Sequence, residues 1–301
     1  MQWVRKQTVD RQKTILFRKA MWLTLTGNII LAVAKAIIAY LSGSVALYAD
    51  AANSVSDVIY SIMMVWGLWV AQQPADISHP QGHSRFEPLV GLLVTFSMGY
   101  AGFEAAKAAI TRLISGGIAI DPGLPTLVLI FSAIIKLGMF LIIRDIAKKV
   151  VSPTLNTTAK DNLSDVLTSS AAFIGAFLSS FAHPILDPIA GLFVSGWIFK
   201  NAFDAGRENL TYLTGGGATE EQRKEFVTIA KNIHGVVDVH HLMCEYAGPQ
   251  LVLDMHINVN GNLTLNESHA IADQVIDALE ALPDVDRAYI HVEPHDWVEK
   301  T

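Results

Sequence analysis

Two acids, Asp161 and Asp165, stand one helical turn apart in "TTAKDNLSD" and open a run, "VLTSSAAFIGAFLSSF", that reads as lipid-soluble helix. A second run, "VALYADAANSVSDVIYSIMMVWGLWV", holds Asp50, Asn53 and Asp57 at spacings of 3, 4 and 7. Those spacings return to one face of a helix. Charge inside a membrane helix is costly and marks a functional site by default. Asn53 alone would be an ordinary interhelical hydrogen bond. Three acids on two helices have no such simple account. Lys35, Lys136 and Lys160 are the candidate counter-charges, and they form no basic stripe. The pattern points to a cation held by four oxygen donors: Asn53, Asp57, Asp161 and Asp165.

The donor types narrow the ion. Neither stripe carries His or Cys, and zinc sites favour nitrogen and sulfur. Oxygen-only sites suit Mn²⁺, Mg²⁺ or Ca²⁺. Ca²⁺ takes about six to eight oxygens, and Mg²⁺ gives up water reluctantly. Mn²⁺ is the best match, with Fe²⁺ and Cd²⁺ behind it. Three crowded carboxylates cannot all stay ionised without a cation. They titrate as a cluster, and metal binding expels protons from its ligands. The chemistry implied is exchange of a divalent metal for protons.

These residues need helices to hold them. The chain has 301 residues, 51% of them hydrophobic and only 17% charged, a membrane-type composition. The single cysteine, Cys244, excludes an internal disulfide framework. The net charge of −6 is concentrated beyond residue 215, so no nucleic-acid partner is implied. Apolar runs near 20–41, 44–72, 87–114, 122–147, 158–181 and 184–206 are each long enough to span a bilayer. The second and fifth are the weakest, because they carry acids. Counted from their outer ends, the acids of the fifth helix sit about 10 Å deeper than the donors of the second, at 1.5 Å per residue. Lys and Arg crowd the N-terminus (Arg5, Lys6, Arg11, Lys13, Arg18, Lys19), the second loop (Arg85) and the ends of the fourth and sixth helices. The opposite loops have none, so both termini are expected in the cytoplasm. No cleavage site follows a short apolar core, so the first run is read as an anchor.

Residues 1–19 then form a cytoplasmic N-terminal segment, 20–208 a six-helix transmembrane domain and 209–217 a glycine-rich linker. Residues 218–301 read as helix, strand, strand, helix, strand, a small cytoplasmic α+β domain. The whole is a polytopic α-helical membrane protein with an αββαβ tail.

The segments "GSVALYADAANSVSD", "ADISHPQGHSRFEP", "AKDNLSD", "GNLTLNESHAIAD" and "IHVEP" together resemble the cation diffusion facilitator family over nearly the whole chain. The resemblance implies six transmembrane helices, a metallochaperone-like cytoplasmic domain, a homodimer in the cell (inner) membrane, and export of divalent metal driven by inward proton flow. Zinc-moving members pair Asp–Asp on the second helix with His–Asp on the fifth. Here those positions are Asn53, Asp57, Asp161 and Asp165, the pattern of a manganese-exporter-like subset, with Asp50 as a supporting residue. The resemblance also implies a loop metal site of Asp76, His79 and His83. It implies a tail site of His240, His256, His269, His291 and Glu293, in which ions cross-link two tails. Arg85 matches a basic position that joins an intersubunit salt bridge in some members, but the acid position falls at Thr214 or Gly215. Glu104 and Lys136 are expected to pair as structural residues, and Gly27 and Gly138 to permit close helix packing.

The reading is a transporter rather than an enzyme, since no open coordination position beside a substrate cavity is evident. No organic cofactor is expected; the bound ion is Mn²⁺, with Zn²⁺ or Cd²⁺ as alternatives. A Zn²⁺ or Cd²⁺ exporter is the second reading and a metal-gated channel the third, since a channel needs weak, multi-site binding.

Overall fold

Backbone groups in hydrocarbon must be satisfied within their own segment, so long apolar runs become helices. A computed structural model of the chain describes residues 11–42, 45–115, 124–181 and 185–295. Six long helices come first: α1 (Arg11–Ser42), α2 (Val45–Ala71), α3 (Phe86–Ile114), α4 (Leu124–Val150), α5 (Pro153–Phe181) and α6 (Leu186–Leu213). The tail follows as α7 (Glu220–Lys231), β1 (Val236–Tyr246), β2 (Leu251–Val259), α8 (Leu265–Glu280) and β3 (Val285–Pro294). The chain divides into two compact units, Met1–Leu210 and Thr211–Thr301.

Several helix limits differ from the apolar runs. α1 begins at Arg11, well before residue 20, and α6 runs on to Leu213 through much of the expected linker. α5 begins at Pro153 rather than near 158. Proline suits the first helical position because its missing N–H has no partner there anyway. The Ser152 hydroxyl accepts from the Leu155 backbone N–H at 3.1 Å and caps the start. Hydropathy alone misses such a polar opening turn.

The membrane unit wears its apolar residues outside. Trp22, Ile30, Ile37, Trp66, Phe96 and Phe203 are exposed, as suits side chains facing lipid. Among the described residues, Arg11–Leu41, Ser54–Ala71, Phe86–Ile114 and Leu127–Val150 are long and apolar enough to span a membrane. α5 and α6 also carry polar groups along their length. On α5 those groups turn inward: Thr154, Thr157, Thr158, Asn162 and Ser164 are all buried.

Two devices fix how the helices meet. Buried Glu87, at the start of α3, accepts a short hydrogen bond from the Ser152 hydroxyl, and the Thr154 hydroxyl donates to the Glu87 carbonyl at 2.6 Å. This ties the start of α3 to the start of α5. Close approach is the second device. A Cβ on Gly91 would lie 2.0 Å from Asn209 Oδ1. Asn209 itself is buried and donates to Thr157 Oγ1 at 3.1 Å and to the Ala205 carbonyl at 2.8 Å. Gly91 thus lets α3 admit an amide that also joins α6 to α5. Gly27 is packed tightly against Met139, as expected. Gly138, by contrast, faces open space among the described residues and serves no close contact.

In the tail, β1 pairs antiparallel with β2 and β2 parallel with β3, in the order β1-β2-β3. α8 is the crossover a parallel pair requires. Both tail helices open with a capping box, Thr219 with Gln222 and Thr264 with Glu267. The alternating residues Leu251, Leu253, Met255 and Ile257 of β2 are fully buried with Phe226, Val275 and Leu279. The period of two therefore sends His256 to the opposite face.

Gly91→Ala should destabilise the membrane unit by about 1–3 kcal/mol, the usual cost of overpacking. A lowered thermal midpoint in detergent checks this. The same substitution in an Asn209→Ala background should cost less, and an unshifted midpoint in Gly91→Ala alone would refute the tight contact.

Candidate metal centre

The acids of α2 and α5 meet around a base from α4. Lys136 Nζ lies 2.7 Å from Asp165 Oδ2 and 3.3 Å from Asp57 Oδ2. Lys136 is buried, while the two carboxylates keep partial exposure. Asp161, one turn before Asp165, interacts electrostatically with Asp165, Lys136 and Asp57. Asn53 lies on α2 one turn before Asp57, but its side chain and that of Asp50 fall outside the described residues.

Two expectations change here. Lys136 does not pair with Glu104, which instead lies 3.4 Å from Lys107 on an exposed face of α3. Helical phase explains it: Glu104 and Lys107 are three apart and share a face, whereas Lys136 points into the bundle. The depth offset counted from helix ends is absent at Asp57 and Asp165, since one ammonium reaches both. Apolar runs do not mark where helices end.

A small cavity of about 20 Å³ adjoins the acids, room for about one water-sized species. Asp57, Asp161, Asn28, Ser61, Ser97 and Asn162 are among its lining residues. Asn28 Nδ2 donates to Ser61 Oγ at 2.7 Å, and the Ser61 hydroxyl donates to the Asp57 carbonyl at 2.7 Å. Asn162 Nδ2 donates to the Thr158 carbonyl at 2.9 Å. With both amide nitrogens committed, Asn28 Oδ1 and Asn162 Oδ1 are buried acceptors without a hydrogen-bond donor among the described residues. Sequence reasoning passed over both residues. An amide within the apolar run of α1, and another beside Asp161, were the available signals.

The loop between α2 and α3 brings Asp76, His79 and His83 together, with one ligand atom from each lying within 4.8 Å of the others. His79 Nδ1 is 3.7 Å and His83 Nε2 3.6 Å from the Asp76 carboxylate. His83 is buried and Asp76 is exposed. The Ser78 hydroxyl and the His79 backbone N–H each donate to Asp76 Oδ1 at 2.7 Å and hold its carboxyl below the usual range.

In the tail, three histidines converge on buried Glu293. His240 Nε2 lies 3.1 Å, His256 Nδ1 3.3 Å and His291 Nε2 3.4 Å from its carboxylate. His240, His256 and Glu293 bring ligand atoms within 4.8 Å of one another. The register explains the meeting. His256 stands opposite His291, and Asn258 opposite Glu293. β1 shifts register between Val239 and His241, leaving His240 as the extra residue, and such a bulge re-aims its side chain. Asn258 Oδ1 then orients His240 through Nδ1 at 2.9 Å. His269 is not part of this group. It is exposed on α8, 3.8 Å from Asp273, and shares with Glu293 only the lining of a cleft of about 540 Å³.

Residues 21–214 match the family described as "Cation efflux transmembrane domain", and residues 218–295 that described as "Cation efflux protein, cytoplasmic domain". The chain is 35% identical over 275 residues to "Uncharacterized transporter MJ0449" of Methanocaldococcus jannaschii, covering 91% of this chain and 97% of that protein. It is 34% identical over 287 residues to "Uncharacterized transporter YdbO" of Bacillus subtilis, covering 92% and 96%. It is 29% identical over 271 residues to "Manganese efflux system protein MneS" of Bacillus subtilis, covering 90% and 93%.

A depressed carboxyl stabilises the folded loop above its unfolded pKa, and that contribution disappears as pH falls through the folded value. Ser78→Ala removes the largest cause of the depression, so the Asp76 midpoint should rise toward the ordinary carboxylate value of about 3.9. Carboxyl-carbon NMR of the full chain in micelles reads this directly. An unmoved midpoint would contradict the role given to the hydroxyl.

Proposed function

The chain belongs to the cation diffusion facilitator family, divalent-cation efflux transporters with a multi-pass membrane domain and a cytoplasmic C-terminal domain, and on that premise we propose that it exports Mn²⁺ in exchange for protons. Asn53, Asp57, Asp161 and Asp165 are the proposed transport ligands. The observation that carries the reading is that acids from α2 and α5 converge on one buried ammonium. Side chains gathered there can also gather on a small cation.

Hard oxygen donors favour Mn²⁺ over zinc, which prefers nitrogen and sulfur. The resemblance to a relative described as a manganese efflux protein supports the same choice. Proton coupling follows from charge. When the ion leaves, the carboxylates it neutralised must find other positive charge, and protons are what the aqueous side supplies. The nitrogen donors of the loop and tail clusters favour a second reading, export of Zn²⁺ or Cd²⁺ by the same route.

His240, His256 and Glu293 are proposed to hold a regulatory ion in the tail, with Asn258 fixing the orientation of His240. Asp76, His79 and His83 are the proposed loop ligands. The working unit is proposed to be a homodimer in the cell membrane, with both termini in the cytoplasm.

Proton flux driven by Mn²⁺, Zn²⁺, Cd²⁺ and Fe²⁺ in reconstituted vesicles tests this. Mn²⁺ should give the largest flux, and Asp161→Asn should abolish it. Asp161→His should move the preference toward Zn²⁺ by roughly tenfold, as a nitrogen donor replaces an oxygen. Mn²⁺ movement indifferent to the proton gradient, or unchanged selectivity in Asp161→His, would defeat the proposal.

A further inference from the structure

Lys136 is in the wrong place for a simple structural lysine. It is buried on α4, yet it engages one carboxylate of α2 and one of α5, both of them proposed transport ligands. Among the described residues it is the ion-pair partner of both Asp57 and Asp165. A base that served only to join helices could use any acid on the facing surfaces.

We propose that Lys136 is the built-in counter-cation of the transport site, a tethered competitor that a divalent ion must displace to bind. The inference rests on the reading of Asp57, Asp161 and Asp165 as ligands. Its basis is steric and electrostatic. Nζ sits 2.7 Å and 3.3 Å from the two Oδ2 atoms. Hard divalent cations need oxygens at about 2.0–2.6 Å. The ammonium and the ion cannot both hold the same pair of oxygens, so loading moves Nζ away.

Charge decides which ions succeed. A monovalent ion offers the carboxylates no more than the ammonium already does, and the ammonium is tethered at high effective concentration. A divalent ion offers twice the charge. The lysine therefore screens out Na⁺ and K⁺ while allowing Mn²⁺. It also aids unloading, because its return to Asp57 and Asp165 takes back the oxygens the ion held, while protons make up the charge that the ion removes. The cost is lower affinity, since metal binds only the fraction of protein whose lysine has moved aside.

The test uses the full chain in nanodiscs and calorimetric Mn²⁺ titration, following the component of binding that Asp161→Asn removes. Lys136→Gln should tighten that component about tenfold or more, make it sensitive to competition by Na⁺, and slow transport at saturating Mn²⁺. Lys136→Arg, which keeps a cation, should stay close to the wild type and resist Na⁺. Unchanged or weaker Mn²⁺ binding in Lys136→Gln overturns the inference while leaving the ligand reading intact. A titration that Asp161→Asn does not alter overturns the ligand reading, and this inference with it. Should Lys136→Gln fail to fold, the wild type still decides. Saturating Mn²⁺ should raise acylation of Lys136 by a small amine-reactive reagent several-fold in mass spectrometry, and no rise overturns the displacement.

Discussion

Asp57, Asp161 and Asp165 put three carboxylates into helices whose outer faces are made for lipid, and positive charge must meet them there. The arrangement of the membrane unit follows from that demand. α4 inserts Lys136 between α2 and α5, so that one ammonium answers two acids. α5 turns Thr154, Thr157, Thr158, Asn162 and Ser164 inward, where the Thr157 and Thr158 hydroxyls and the Asn162 amide bond to carbonyls one turn back. A helix with so many polar groups is tolerable in a membrane only because other helices cover that face.

The cover depends on a few close contacts. Glu87, Ser152 and Thr154 tie the first turns of α3 and α5. Asn209 reaches from α6 to Thr157 on α5 through space left by Gly91 on α3. Both links grip the opening turns of α5, the helix that carries Asp161 and Asp165. Around them Met64, Leu68, Met139, Ile143 and Leu155 form an apolar cluster. The acids therefore ride on a helix whose opening turns are held by hydrogen bonds and packing.

The tail solves a different problem with the same economy of residues. A three-stranded sheet covered by helices on one face has one dry side and one wet side. Leu251, Leu253, Met255 and Ile257 take the dry side, which leaves His256 facing out. The neighbouring strands then supply His291 and, by a bulge, His240, while Glu293 is buried beneath all three. Imidazoles gather on the wet face of the tail, whereas carboxylates and amides gather in the interior of the membrane unit.

The order of helices, the two acidic stripes and the alternation of β2 were all visible in the sequence, because periods of 3.6 and 2 are local properties of the chain. So were the types of the polar side chains. The start of α5 was not, because Ser152 and Pro153 are polar or small and hydropathy does not weigh capping. Lys136 was visible as a candidate counter-charge to the acids, but the sequence did not decide between them and Glu104 as its partner. Glu104 is a reasonable mate by composition, and only the rotation of α4 about its axis aims Nζ at Asp57 and Asp165. His269 and His240 make the same point in the tail, since α8 holds the first beside Asp273 and a register shift brings the second to Glu293. Which side chains lie on one face is written along the chain; which faces meet is decided by packing between elements distant in sequence.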